Sequence, residues 1–211
     1  MMKLYDYFRS TASYRVRIAM NLKGINYEKI DVHLVNNGGE QHRPEYRKVN
    51  PQELVPCLKV GGETINQSLA IIEYLDEIHP TPALLPQAPF AKATVRSLAL
   101  MIVCDMHPLN NLRVLNQLKT EFNANESQIA EWYHHWLKKG FDALETKLQT
   151  IERTQSFCVG DSASMADLCL IPQVFNAKRF NFALDNYPLI REIEAHCLTL
   201  KAFQDAAPKE E

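Results

Sequence analysis

Residues 80–89 read PTPALLPQAP, four prolines in ten positions. Proline fixes φ and has no amide hydrogen, so neither a helix interior nor a central strand runs through such a stretch. The chain is therefore expected to form two parts, over 1–80 and 90–211, joined by a linker over 81–89. The first part alternates in pattern. KLYDYF is strand-like. SYRVRIAMNLKG sets Val16, Ala19, Met20 and Lys23 on a helical stripe and stops at Gly24, a residue suited to follow a helix end. YEKIDVHLV is strand-like again, GGEQHRPEYRKVNP is polar with room for one helical turn, and CLKV and TINQ flank GGE as a short antiparallel hairpin. SLAIIEYLDEIHP then carries Leu69, Ile72, Leu75 and Ile78 at helical spacing up to Pro80. Strand, helix, strand, short helix, two strands and helix make a small α/β domain.

Beyond Phe90 the pattern is helical only. Val95, Leu98, Ala99, Ile102, Val103 and Met106 follow a 3.6-residue period, as do Ile129, Trp132, Trp136 and Leu137, and then Phe141, Leu144, Leu148 and Ile151. The second domain is expected to be all-helical, with the aromatic set Trp132, Trp136 and Phe141 in its core. Ser164 and Asp167 form S-x-x-D before an apolar run, a capping-box pattern read as structural. Pro108 is expected to kink the helix that contains CDMHPLNNLR, with His107 and Asn111 one turn apart on one face.

Bulk numbers exclude several classes. A formal charge of −2 over 211 residues gives no basic surface for nucleic acid or an acidic membrane. Apolar runs are too short to span a bilayer. No basic and apolar leader precedes the first strand, so secretion is not expected. The five cysteines are scattered without a CxxC pair, which points to a reduced, cytoplasmic protein with no zinc site.

RSTAS, at residues 9–13, joins the first strand to the first helix. Unpaired amides and the helix dipole favour an anion at such a junction, and the same hydroxyls can equally cap the helix. FRSTASYRVRIA, NPQELVPCLKV, NQSLAIIEYL, PTPALLP and SMADLCLIPQVFNAKRF, taken in order from about Lys3 to Phe203, resemble the zeta class of glutathione transferases. The resemblance implies a thioredoxin-like α/β N-terminal domain, an all-α C-terminal domain, glutathione as cofactor and a homodimer.

It also implies site residues. Ser10 is the thiolate donor and Thr11 its helper. The class has Ser-Ser-Cys here, so Ala12 replaces a family cysteine. Lowering a thiol pKa by about 2 units from about 8.5 amounts to roughly 2.7 kcal/mol of thiolate stabilisation. Val55, before a cis Pro56, pairs its backbone with the tripeptide, as an extended peptide pairs with a strand edge. Ser68, read as an N-cap, and Gln67 receive the γ-glutamyl end, and Gln41 the glycine end. His107 and Asn111 face the thiol cleft. Arg9 and Arg179, with Arg113 secondary, hold substrate carboxylates, which a guanidinium grips through parallel bonds. Arg15 and Arg17 are read as structural.

The implied function is a glutathione-dependent cis–trans isomerisation of maleylacetoacetate to fumarylacetoacetate in tyrosine and phenylalanine breakdown. The alternatives are maleylpyruvate isomerisation in gentisate breakdown, transfer to small α-halo acids, or non-catalytic glutathione binding.

Overall fold

The computed structural model describes residues 1–153 and 156–209. They form two compact units, one of Met1–Leu84 with the segment from Thr199 onward, the other of Leu85–Leu198. The C-terminal segment therefore packs with the α/β unit, whereas the sequence pattern attached it to the helical part.

The first unit runs β1 (Met2–Asp6), α1 (Thr11–Leu22), β2 (Tyr27–Asp31), α2 (Pro44–Arg47), β3 (Cys57–Val60), β4 (Glu63–Asn66) and α3 (Ser68–Ile78). The sheet order is β2-β1-β3-β4. β1 is parallel to β2 and antiparallel to β3, and β3 pairs with β4 as a hairpin in which Cys57 faces Asn66. This is the thioredoxin-like arrangement. β2 stops at Asp31, short of the strand-like run read from the sequence, because the chain turns through 3₁₀ segments at Asn36–Gly38 and Glu40–His42.

α1 departs from a simple amphipathic helix. Val16, Ala19 and Met20 are buried as their spacing demands, but so are Ser13, Arg15 and Arg17. The polar side is covered by α9 (Lys201–Ala206), the final helix of the unit. The Tyr14 hydroxyl donates to the Phe203 carbonyl at 3.2 Å, and Asn21 Nδ2 to the Ala202 carbonyl at 3.0 Å. Those bonds satisfy the Tyr14 hydroxyl and the Asn21 amide, and Arg17 Nε donates to the Ala206 carbonyl of the same helix at 2.9 Å.

The second unit holds α4 (Pro89–Val103), α5 (Leu112–Glu121), α6 (Glu126–Gln149), α7 (Met165–Arg179) and α8 (Pro188–Cys197). Val95, Leu98, Ala99 and Ile102 on α4, and Ile129, Leu137, Phe141, Leu144 and Leu148 on α6, are buried at the expected spacing. Trp132 and Trp136 are only half-buried and meet edge to face, whereas Tyr133 is fully buried. Trp132 keeps its indole at the rim, where Nε1 donates to the Leu109 carbonyl at 2.8 Å. Pro108 does not kink a continuous helix: α4 ends at Val103, and Pro108 opens a 3₁₀ turn, Pro108–Asn110.

The S-x-x-D motif is a buried capping box at the start of α7. One carboxylate oxygen of Asp167 accepts the Cys158 N–H at 2.8 Å, and the other accepts both the N–H and the hydroxyl of Ser164 at 2.8 Å. Glycine 140 matters for a different reason. An alanine Cβ at Gly140 in α6 would overlap Sδ and Cγ of Met106, which is fully buried. Alanine is the better helix former by about 1 kcal/mol, yet overpacking costs about 1–3 kcal/mol. Gly140→Ala is expected to lower the denaturant midpoint. An unchanged or raised midpoint would show that Met106 can move aside.

Candidate glutathione site

β1 ends in a tight turn that delivers Ser10 to the start of α1. The Ser10 N–H donates to the Tyr7 carbonyl at 2.9 Å, and Ser10 is the N-cap, its Oγ accepting the Ser13 N–H at 3.2 Å. The two readings of this serine are therefore compatible. Capping uses a lone pair of Oγ, and the hydroxyl proton has no acceptor among the described residues. The Ala12 N–H is likewise without a partner there. Thr11 is buried, at 4% exposed. Arg9 is exposed, with its guanidinium 4.9 Å from the Phe8 ring centroid.

The segment before β3 offers the second element. The Tyr46 hydroxyl and Asn50 Nδ2 both donate to the Leu54 carbonyl, at 2.6 and 2.7 Å, and Asn50 Oδ1 accepts the Gln52 N–H at 3.0 Å. Burial pushes the Tyr46 hydroxyl pKa well up, so it stays a donor. These clamps hold the Val55–Pro56 peptide, which is cis, just before β3. Among the described residues the Val55 backbone makes no hydrogen bond, although Val55 is 8% exposed. An extended peptide can use that N–H and C=O. Tyr46 and Asn50 were missed from the sequence because their acceptor is a backbone carbonyl with no side-chain signature.

Ser68 differs from expectation. The N-cap of α3 is Gln67, and Ser68 is the first helical residue. The Ser68 hydroxyl accepts from Arg15 Nη1 at 3.2 Å, both residues being buried. Its proton can therefore still point to an anion at the helix start. Gln67 has φ 73° and ψ 121°, a conformation costly for a residue with a Cβ. Its Nε2 donates to Gln52 Oε1 at 2.9 Å. Gln41 lies in the 3₁₀ segment Glu40–His42 and is buried, its Nε2 donating to the Leu34 carbonyl at 3.3 Å. Its Oε1 has no partner among the described residues, which suits a ligand N–H. Beside it, His42 Nδ1 and Arg47 both engage the Glu53 carboxylate, and the His42 hydrogen bond holds that carboxyl below its usual range.

The second unit carries the remaining residues. His107 is half-buried with helical dihedrals, whereas Asn111 is extended and caps α5, its Oδ1 accepting the Arg113 N–H at 3.2 Å. The two are thus in different local structures and share no helix face. Arg113 is exposed on the first turn of α5. Arg179, exposed at the end of α7, donates from Nη1 to Asn176 Oδ1 at 3.1 Å, and Asn176 Nδ2 in turn donates to the Tyr133 hydroxyl. Tyr133 is buried and stacks on Phe180 with centroids 3.8 Å apart. NAKRF thus supplies an arginine together with the asparagine that orients it.

No protein thiol lies in the Ser10 turn. Cys57, on β3, is buried, and burial raises its pKa to about 11, so it is protonated at neutral pH. Among the described residues no cluster of His, Cys, Asp and Glu could hold a metal. An ionised sulfur at Ser10 must come from a ligand.

Comparison with known proteins agrees. The family model described as the glutathione S-transferase N-terminal domain matches residues 4–83. A Vibrio cholerae protein named probable maleylacetoacetate isomerase is 47% identical over 206 residues, 98% of this chain and 95% of its own. A holo structure of maleylpyruvate isomerase, described as a bacterial zeta-class glutathione S-transferase, superposes with TM-score 0.94 at 45% identity, covering 98% of this chain and 96% of that one. Maleylacetoacetate isomerase from Methylobacterium extorquens AM1, with malonate and glutathione bound, has TM-score 0.93 at 39% identity over 98% of this chain and 96% of that one. With a serine-capped helix, an unpaired peptide edge before a cis proline, and relatives matched over nearly their whole length, the chain belongs to the zeta class of the glutathione transferase family.

Proposed function

We infer that the protein is a glutathione-dependent cis–trans isomerase whose substrate is maleylacetoacetate and whose product is fumarylacetoacetate. The observation that carries this reading is the Ser10 hydroxyl, which caps α1 through a lone pair and keeps its proton for an anion. The residues present fit glutathione. Val55 offers a free peptide edge, Gln41 an unpaired buried oxygen, and the start of α3 a place for a carboxylate. When bound, glutathione supplies a thiolate that adds reversibly to the substrate's carbon–carbon double bond, so that rotation can precede elimination.

The chain's own groups do the rest. Ser10 donates a hydrogen bond to the sulfur anion, aided by the amide dipoles at the start of α1. Arg9 and Arg179 take the substrate carboxylates and stabilise charge that develops beside them, with Arg113 secondary. Asn176 tethers one guanidinium nitrogen of Arg179, which lowers the entropy lost on gripping a carboxylate. His107 and Asn111 belong to the same proposal as polar substrate or cofactor contacts. A homodimer is part of this reading, supported by the exposed Phe90, Ala93, Ser97 and Leu100 along one side of α4. A cytoplasmic location is supported by five free cysteines.

Turnover of maleylacetoacetate and of maleylpyruvate, each with saturating glutathione, tests the assignment. A higher kcat/KM on maleylacetoacetate is expected. Equal or greater efficiency on maleylpyruvate would reassign the substrate, and inactivity on both would remove the isomerase reading.

A further inference from the structure

We propose that Arg17 is a positioning residue, through which the C-terminal helix α9 fixes the turn that presents Ser10. The proposal rests on the thiolate role of Ser10 given above. Arg17 stands two turns into α1 and is 7% exposed. Its guanidinium reaches in three directions. Nε donates to the Ala206 carbonyl in α9 at 2.9 Å. Nη2 donates to the Phe8 carbonyl at 2.9 Å, and Nη1 donates to the Tyr7 carbonyl at 3.4 Å. Nη1 also meets Asp6 Oδ1 at 2.6 Å.

The Tyr7 carbonyl is the acceptor that the Ser10 N–H uses. One oxygen is therefore shared by the guanidinium and the serine, and the carbonyls of both residues preceding Arg9 are held by the same side chain. A turn of this kind is otherwise free to drift, since it has no ladder of its own. A displacement of about 1 Å is enough to weaken a hydrogen bond aimed at a charged atom. The planar fork of arginine serves three carbonyls and a carboxylate at once. The single ammonium of lysine cannot span them, although it keeps the charge. Asp6 contributes differently. Its Oδ1 neutralises the guanidinium, and it makes no bond to the Ser10 turn.

The test reads the thiol and not only stability. Glutathione is titrated on the full-length protein by ultraviolet thiolate absorbance against pH, for wild type, Arg17→Lys and Asp6→Asn. Arg17→Lys is expected to raise the pKa of the bound thiol by about one unit, a roughly tenfold fall in thiolate below that pKa. Its kcat should fall about as much, with the glutathione dissociation constant changed less than about twofold. Asp6→Asn keeps the carbonyl contacts and is expected to lower Tm while leaving the thiol pKa in place. An unchanged thiol pKa in Arg17→Lys, or equal shifts in both variants, would overturn the proposal. If Arg17→Lys is not recovered folded, amide exchange in the unaltered protein decides. The Ser10 N–H must then be protected like the amides inside α1, and exchange at the rate of an exposed loop refutes the role. Absence of thiolate absorbance in wild type would instead remove the function assigned to Ser10 itself, and this inference with it.

Discussion

Ser10→Ala is expected to lower kcat by about 10²–10³, the effect of removing one donor aimed at a developing or fixed anion. Glutathione affinity should change much less, because in the proposed site Val55, Gln41 and the start of α3 would hold the tripeptide elsewhere. The thiol pKa should rise toward its free value, near 8.5. The activity profile therefore shifts to higher pH, and part of the lost rate returns in alkali. Ser10 is also the cap of α1, so alanine should cost about 1 kcal/mol of stability as well. Ser10→Gly separates the two effects. Glycine is a tolerable N-cap, only a few tenths of a kcal/mol worse than serine, but has no hydroxyl. Both variants should be equally slow, with glycine melting closer to wild type. A glycine variant that kept wild-type kcat would mean that the amides of the helix start hold the sulfur without the hydroxyl.

Asp167→Ala is expected to remove about 2–5 kcal/mol of stability, from orphaned buried donors at about 1–3 kcal/mol each, a large share of what holds a domain folded. Asp167 is fully buried and makes no contact with any residue assigned to chemistry. Its two oxygens take the N–H groups of Cys158 and Ser164 and the Ser164 hydroxyl. Deleting the carboxylate orphans those donors where water cannot replace it. Asp167→Asn retains one acceptor oxygen but turns an NH₂ group against a donor, so it should lie between alanine and wild type. Urea unfolding of the three proteins gives the order. A loss under about 1 kcal/mol for alanine would show that water enters the start of α7.

Much of the fold could be read from local pattern. PTPALLPQA separates α3 from α4, S-x-x-D opens α7, and CLKV and TINQ pair as a hairpin, because each depends on residues close in the chain. The misreadings have a common origin. Ser68 looked like an N-cap since serine caps helices, but its hydroxyl faces Arg15, and the distorted Gln67 takes the cap position. His107 and Asn111 looked like neighbours on a helix, but Pro108 ends α4 early and leaves Asn111 to cap α5. In the helical unit Tyr133, not Trp132 or Trp136, is fully buried, because the indoles keep an edge at the rim.

By itself the sequence determined that strands and helices alternate first and that helices alone follow, the helix and strand periods, and the serine at the mouth of the first helix, but not that α9 packs with the α/β unit. These follow from proline geometry and from side-chain spacing, which act over a few residues. Only the tertiary structure decided that Tyr46 and Asn50 clamp the Leu54 carbonyl. It alone showed that the Val55 peptide is left unpaired and that Arg17 ties the Ser10 turn to a carbonyl 189 residues away. Backbone carbonyls leave no mark in a sequence, and which of them a buried side chain reaches is set when the chain closes on itself.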